Sequence, residues 1–224
     1  MTNTQAPYDK QYNPVFEDLL LQWWYRNGRF FPWRATRDAY AIMIAEIMLH
    51  RTRAEQVERV YGNFLGRFPN LEALCKTNWN DVDRTMDSLG LKWRTTMLKE
   101  LCEVLVSDYS SQIPLSKDLL KSLPGIGDYI SSAIRCFSLN APEVLIDTNT
   151  VRIAARILGL IPKDSLRRDK KIFDFYLRTV SIEKPREFYF ALIDLGAQIC
   201  KASIMKCDKC PIGTVCETNK RRNR

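Results

Sequence analysis

Histidine is almost missing from this chain: there is one, His50, among 224 residues. That scarcity excludes a histidine-rich metal centre and leaves any Ser–His–Asp arrangement a single position to run through. No apolar run approaches the roughly 18–20 residues that a membrane span needs. The opening MTNTQAPYDKQYNP has no basic start leading into an apolar stretch, so no secretion signal is expected. Strand-type alternation, low-complexity tracts and repeats of solenoid length are absent as well. The expectation is a soluble, intracellular, all-α protein without a membrane partner. With 46% hydrophobic and 27% charged residues, the length suits one or two domains with a real core. The net charge of +8 favours a polyanionic partner, nucleic acid before membrane.

Seven cysteines divide into two groups. Cys75, Cys102 and Cys136 are scattered through helical segments and read as buried apolar residues. Cys200, Cys207, Cys210 and Cys216 crowd near the C-terminal end as Cys-x6-Cys-x2-Cys-x5-Cys. In an intracellular protein such a cluster points to a metal rather than to disulfides. Four thiolates suit either tetrahedral zinc or a [4Fe–4S] cluster. A zinc ribbon usually offers two close Cys-x2-Cys pairs and this chain has one, so the spacing favours iron–sulfur.

Apolar periodicity and Gly, Pro or Asn breaks predict a first helix from Asn13–Pro14 to Gly28. Others are predicted at Tyr40–Leu49, Glu55–Phe68, Trp79–Leu89, Arg94–Tyr109, Lys117–Ser122, Asp128–Leu139, Thr148–Leu158, Lys170–Val180 and Pro185–Cys200. Between two of them lies LPGIGDYI, residues 123–130. Gly125 and Gly127 allow positive φ and close approach of backbone N–H groups. With the helix start that follows, Leu123, Gly125, Ile126 and Gly127 form either a nest for a backbone phosphate or an ordinary interhelical turn. Asp147 precedes an apolar-periodic helix, where an N-cap is the usual role for an aspartate. The same helix start would keep its carboxylate ionised, ready to oppose a developing cation or activate water.

Glu46 is the one acid in the apolar YAIMIAEIML. Its neighbours favour burial, which would raise its pKa and make it a proton donor; the other reading is a narrow solvent stripe. His50 and Arg51 end that helix, either as cations favoured by the dipole or as groups reaching a bound anion. Leu91, Lys92, Trp93 and Arg94 follow Gly90 and could pry into a duplex or simply form a helix–helix loop.

Taken together, PWRATRDAY, AEIMLHRT, LGLKWR, LPGIGDYISSAI, VLIDTNTVRIAAR and the cysteine spacing resemble the helix-hairpin-helix DNA glycosylases of the endonuclease III superfamily. The likeness spans about Pro32 to Cys216 and is greatest to the Mig-type thymine–DNA mismatch glycosylases. The resemblance implies a two-domain all-α fold with DNA bound across the cleft between domains. A six-helix barrel domain is expected over 37–141, and residues 1–36 with 142–224 form the domain carrying a [4Fe–4S] cluster on the four cysteines. It implies hydrolysis of an N-glycosidic bond after base flipping, by a monomer acting on duplex DNA with a mismatched or damaged base, nucleoid-associated in a prokaryotic-type cytoplasm.

In this resemblance Asp147 matches the essential aspartate. Tyr129, 18 positions earlier, stands where lyase members carry a nucleophilic lysine. A phenol cannot form an imine, so strand cleavage is not expected. Glu46 matches the acid that assists base departure in adenine-mismatch enzymes, and Arg51 and Leu91 fall where the family plugs the emptied stack. HRT and DTNT, where the adenine enzymes have Gln-Gln-Thr and Asp-Gly-Asn, favour thymine or uracil opposite guanine. An adenine-mismatch enzyme and a non-catalytic damage sensor are the alternatives.

Overall fold

The computed structural model describes residues 14–90 and 92–222, which form helices and short connecting turns. Among them the only β-type pairing is one antiparallel bridge between Cys200 and Met205. Among the described residues no helix is long and apolar enough to cross a membrane. The chain divides into two compact units, one taking it up to Arg29 and again from Pro142, the other spanning Phe30–Ala141.

α1 (Pro14–Asn27) opens the first unit. The second holds α2 (Ala39–Leu49), α3 (Ala54–Arg67), α4 (Leu71–Cys75), α5 (Trp79–Met86), α6 (Trp93–Tyr109), α7 (Lys117–Ser122) and α8 (Asp128–Leu139). The chain then returns to the first unit with α9 (Thr148–Ile157), α10 (Lys170–Thr179), α11 (Pro185–Gln198) and α12 (Glu217–Arg222).

α2 is apolar all round and forms the middle of its unit: Tyr40 through Met48 are all buried, with α3 and α8 packed on it. Each large apolar side chain so buried contributes about 1.5–3 kcal/mol, which is why the helix lacks the usual polar face. Asp38 starts it, its carboxylate accepting the Ala41 N–H at 2.9 Å. In the other unit α9 fills the same role, with Thr150–Ile157 buried beneath α10, α11 and α12. Asp194, fully buried on α11, accepts the Trp24 Nε1–H at 3.1 Å and both the N–H and the Nε–H of Arg29 at 2.8 Å, tying α1 in place.

The crossing between units falls at Arg29–Phe30 rather than at residue 36, because aromatic contacts claim the PWR segment. Phe31 stacks on Trp33 at 4.8 Å, and Trp33 meets the edge of Tyr61 on α3 at 5.4 Å. The single helix predicted over Trp79–Leu89 is α5 followed by a 3₁₀ turn, Asp87–Leu89, ended by Gly90 at φ 67°. α4 and α12, five and six residues long, were not predicted; neither is long enough to display a 3.6-residue period. Asn13, the predicted first-helix start, lies outside the described residues. Cys102 and Cys136 are buried as expected, while Cys75 is half-buried beside Cys102.

Candidate active site and cysteine cavity

Within the unit Phe30–Ala141, Glu46 lies in the buried helix α2 at 6% exposure, so the solvent-stripe alternative does not hold. Its helix packs against α8, whose second residue is the half-buried Tyr129. The turn ahead of α8 explains its own sequence. Leu123 and Ile126 point inward, each 3% exposed, and their N–H groups bond the carbonyls of Leu120 and Leu123. These two residues therefore build the turn and leave the glycines at its surface.

Gly125 has φ 74°, and a Cβ there would overlap the Met97 sulfur from α6. Gly127, expected to allow positive φ, has φ −86°; a Cβ on it would stand in open space. Its value is the bare surface it leaves rather than an unusual backbone. Among the described residues, the Gly125 and Gly127 N–H groups take no part in the backbone hydrogen bonds that close the turn. Nor has α8 a side-chain cap, whereas α2, α4, α5, α9 and α10 each start on a capping Asp or Asn. An uncapped helix start with exposed glycines leaves backbone N–H groups that an anion could satisfy.

A second turn, at the end of α2, carries His50 and Arg51. The Thr52 N–H bonds Leu49 O at 3.1 Å, His50 has φ −60° and ψ 110°, and Arg51 has φ 60°. This is the shape of a type II turn, whose third residue is ordinarily Gly or Asn. For arginine the left-handed conformation costs roughly 1–2 kcal/mol. His50 meets the edge of Trp93 at 5.4 Å. Although the residue is exposed overall, burial of that ring face, then the Arg51 and Arg94 charges, lower its pKa. That shift disfavours the charged form of His50, against the dipole-favoured cation that was one of its two readings. Lys92 is exposed at the start of α6, while Leu91 lies outside the described residues.

In the other unit Asp147 is the N-cap of α9 in a complete capping box. Its Oδ1 accepts the Thr150 N–H at 2.7 Å, and its own N–H donates to Thr150 Oγ1 at 2.7 Å. Its Oδ2 accepts from Asn149 Nδ2 at 3.0 Å. Asn149 Oδ1 in turn accepts from Arg152 Nη2 at 2.8 Å, and Arg152 Nε donates to Cys200 O at 2.8 Å. The carboxylate is therefore aimed by a short hydrogen-bonded chain that ends at the first cysteine. Sequence reasoning missed Asn149 and Arg152. The available signal was the Arg152–Arg156 pair, two cations at i, i+4 on the apolar face of the helix.

Cys200, Cys207, Cys210 and Cys216 line one pocket, partly open to solvent, together with Ile153 and Arg156 of α9. Arg156 Nη1 lies 3.1 Å from Cys200 Sγ, and Arg222 Nη1 lies 3.4 Å from Cys207 Sγ. Burial pushes the Cys210 thiol up to about 12 and raises that of Cys216, so thiolates here require compensating positive charge. Among the described residues, no three His, Cys, Asp or Glu side chains converge as they would on a single metal ion.

The sequence matches the model of the HhH-GPD superfamily base excision DNA repair proteins over residues 44–174. The thymine/uracil-DNA glycosylase of Pyrobaculum aerophilum is 34% identical over 217 residues, covering 93% of this chain and 94% of that protein. The thymine-DNA glycosylase of Aeropyrum pernix is 37% identical over 204 residues, covering 88% and 91%. Among solved structures, a thermostable thymine-DNA glycosylase superposes with a TM-score of 0.85 at 31% identity, covering 93% of this chain and 96% of its own. With the family matched over more than half its length and such relatives over nearly all of it, the chain belongs to the HhH-GPD superfamily of base excision DNA repair proteins.

Proposed function

We propose that this protein is a monofunctional DNA glycosylase that hydrolyses the N-glycosidic bond of thymine or uracil mispaired with guanine. The observation that carries the reading is similarity to thymine/uracil-DNA glycosylases across nearly the whole chain, with the Asp147 carboxylate fixed as the cap of α9. Duplex DNA is gripped through a backbone phosphate at Gly125 and Gly127, and the target nucleotide is rotated out of the stack. Bond cleavage builds positive charge on the deoxyribose; Asp147 opposes it and guides water to C1′. Tyr129 and Glu46 contact the extruded nucleotide, Glu46 reading the base edge. Tyr129 offers no amine for a Schiff base. Lys121, on the preceding helix, is held as an ammonium by its 2.5 Å ion pair with Asp128, which raises its pKa.

The test uses purified protein on duplexes carrying T, U or A opposite G or oxidised guanine, plus one with an alkylated base. Breaks are expected only after alkali, and only at T or U opposite G. Breaks without alkali, in a nuclease-free preparation, would overturn the monofunctional assignment. Release of adenine or of the alkylated base alone would reassign the substrate, and binding with no release would favour a damage sensor.

We further propose that Cys200, Cys207, Cys210 and Cys216 hold a [4Fe–4S] cluster. A single zinc with Zn–S near 2.3 Å would draw its four sulfurs to within about 4 Å of one another. A four-iron cluster would take each thiolate on a separate iron, which suits four thiols that line one pocket without three of them converging as a single ion requires among the described residues. The guanidiniums of Arg156 and Arg222 supply N–H donors to the Cys200 and Cys207 sulfurs, which would offset the negative charge of thiolate ligands. When bound, such a cluster cross-links residues 200–216 through iron–thiolate bonds. Freshly purified protein is therefore expected to be brown, with about four iron and four sulfide per chain. One zinc per chain, or no metal in folded protein, would refute this.

A further inference from the structure

Arg94 is among the largest fully buried side chains of the described residues, 1% exposed, and has no carboxylate partner among them. Buried guanidiniums are ordinarily paired, because removing the charge from water is costly. Here only Nη2 is engaged, donating to His50 O and to Thr52 Oγ1, the latter at 2.6 Å. Nε and Nη1 have no hydrogen-bond partner among the described residues. The two bonds that do form bracket a single residue, Arg51, the arginine at φ 60°. Trp93, beside Arg94, packs its ring against His50 on the same turn.

A strained residue persists only where its surroundings over-determine it. Glycine would hold this turn without strain, so the structure keeps an arginine side chain there for a purpose other than folding. We propose that Arg94 is a positioning residue: it clamps the His50–Thr52 turn from both sides and so holds the exposed Arg51 side chain in one direction, for contact with mismatched DNA. The DNA half of this inference rests on the glycosylase reading; the clamp does not.

Two measurements separate the halves. Limited trypsin digestion reads the clamp without DNA: cleavage after Arg51 should be faster in Arg94→Met than in the wild type. Equal rates would overturn the clamp. Equilibrium binding to a T·G duplex, with single-turnover rates at saturating protein, reads the purpose. Arg94→Met and Arg51→Gly should each weaken binding about tenfold with a smaller change in the saturated rate. The double variant should be no weaker than either single one, since a clamp with nothing to hold contributes nothing.

Arg94→Met should also melt no lower than the wild type, because it removes a buried charge with two donors unused among the described residues. Rescue of both readouts is not expected from Arg94→Lys, which cannot bridge two acceptors from one planar group. Losses that multiply in the double variant, or wild-type binding by Arg94→Met, would overturn the positioning role. If the clamp is verified but the wild type binds no mismatched duplex, the glycosylase reading fails and the DNA purpose of Arg51 fails with it.

Discussion

Asp147→Asn should abolish release of thymine or uracil from a G mispair, lowering the single-turnover rate by about 10³-fold or more, while leaving the fold intact. The two outcomes separate because the side chain does two things. As a cap it accepts the Thr150 N–H at 2.7 Å, and asparagine caps a helix as well as aspartate does. The capping bond by itself should therefore change by no more than about 1 kcal/mol, and the protein should still unfold cooperatively in urea. As a carboxylate it opposes the charge that grows on the sugar, and an amide cannot.

The new amide would also bring an N–H toward Asn149 Nδ2, which now donates to Asp147 Oδ2 at 3.0 Å. Asn149 would have to turn its own amide, losing the acceptor that Arg152 uses. A second variant completes the argument: Thr150→Ala breaks one half of the capping box and keeps the charge. It should lose stability and retain most activity. If Asp147→Asn kept wild-type turnover, the catalytic role would be lost and only the cap would remain.

Substituting the two hairpin glycines should produce large losses of DNA affinity by different routes. Gly125→Ala forces a methyl into the Met97 sulfur and an L-residue into φ 74°. It should destabilise the protein by about 1–2 kcal/mol or more and weaken DNA binding as the turn deforms. Gly127→Ala should leave stability close to that of the wild type, since φ is −86° and the space is empty.

If the amides seize a phosphate, however, the new methyl of Gly127→Ala stands where the anion approaches, and affinity should fall about tenfold. That loss should be the same for mismatched and matched duplexes, because a phosphate contact carries no base information, and the salt dependence should flatten by about one counterion. Unchanged affinity in Gly127→Ala would remove the hairpin from the DNA contacts.

The difference between those two glycines shows where sequence reading reaches its end. Spacing made both look alike, as residues permitting unusual backbone, yet Met97 is 28 positions upstream of Gly125 and no local pattern links them. Glu46 was more legible: nine consecutive buried positions in α2 follow from apolar residues on every side of the helix, and an acid among them had to be buried too. Arg94 was not legible at all, because a buried cation looks like any surface arginine until its neighbours are known.

By itself the sequence determined the all-α class, the positions of the long helices, the Asp147 cap and the grouping of four late cysteines. Each of these depends on local periodicity, backbone preference or spacing, which act over a few residues. Only the tertiary structure decided that the PWR segment belongs with Tyr61 and that Asn149 and Arg152 link Asp147 to Cys200. It also decided that Arg94 grips the turn 44 positions away from it in the chain. Those depend on side chains from distant segments meeting in space, and hydrogen bonding and packing have no sequence signature until the chain has folded back on itself.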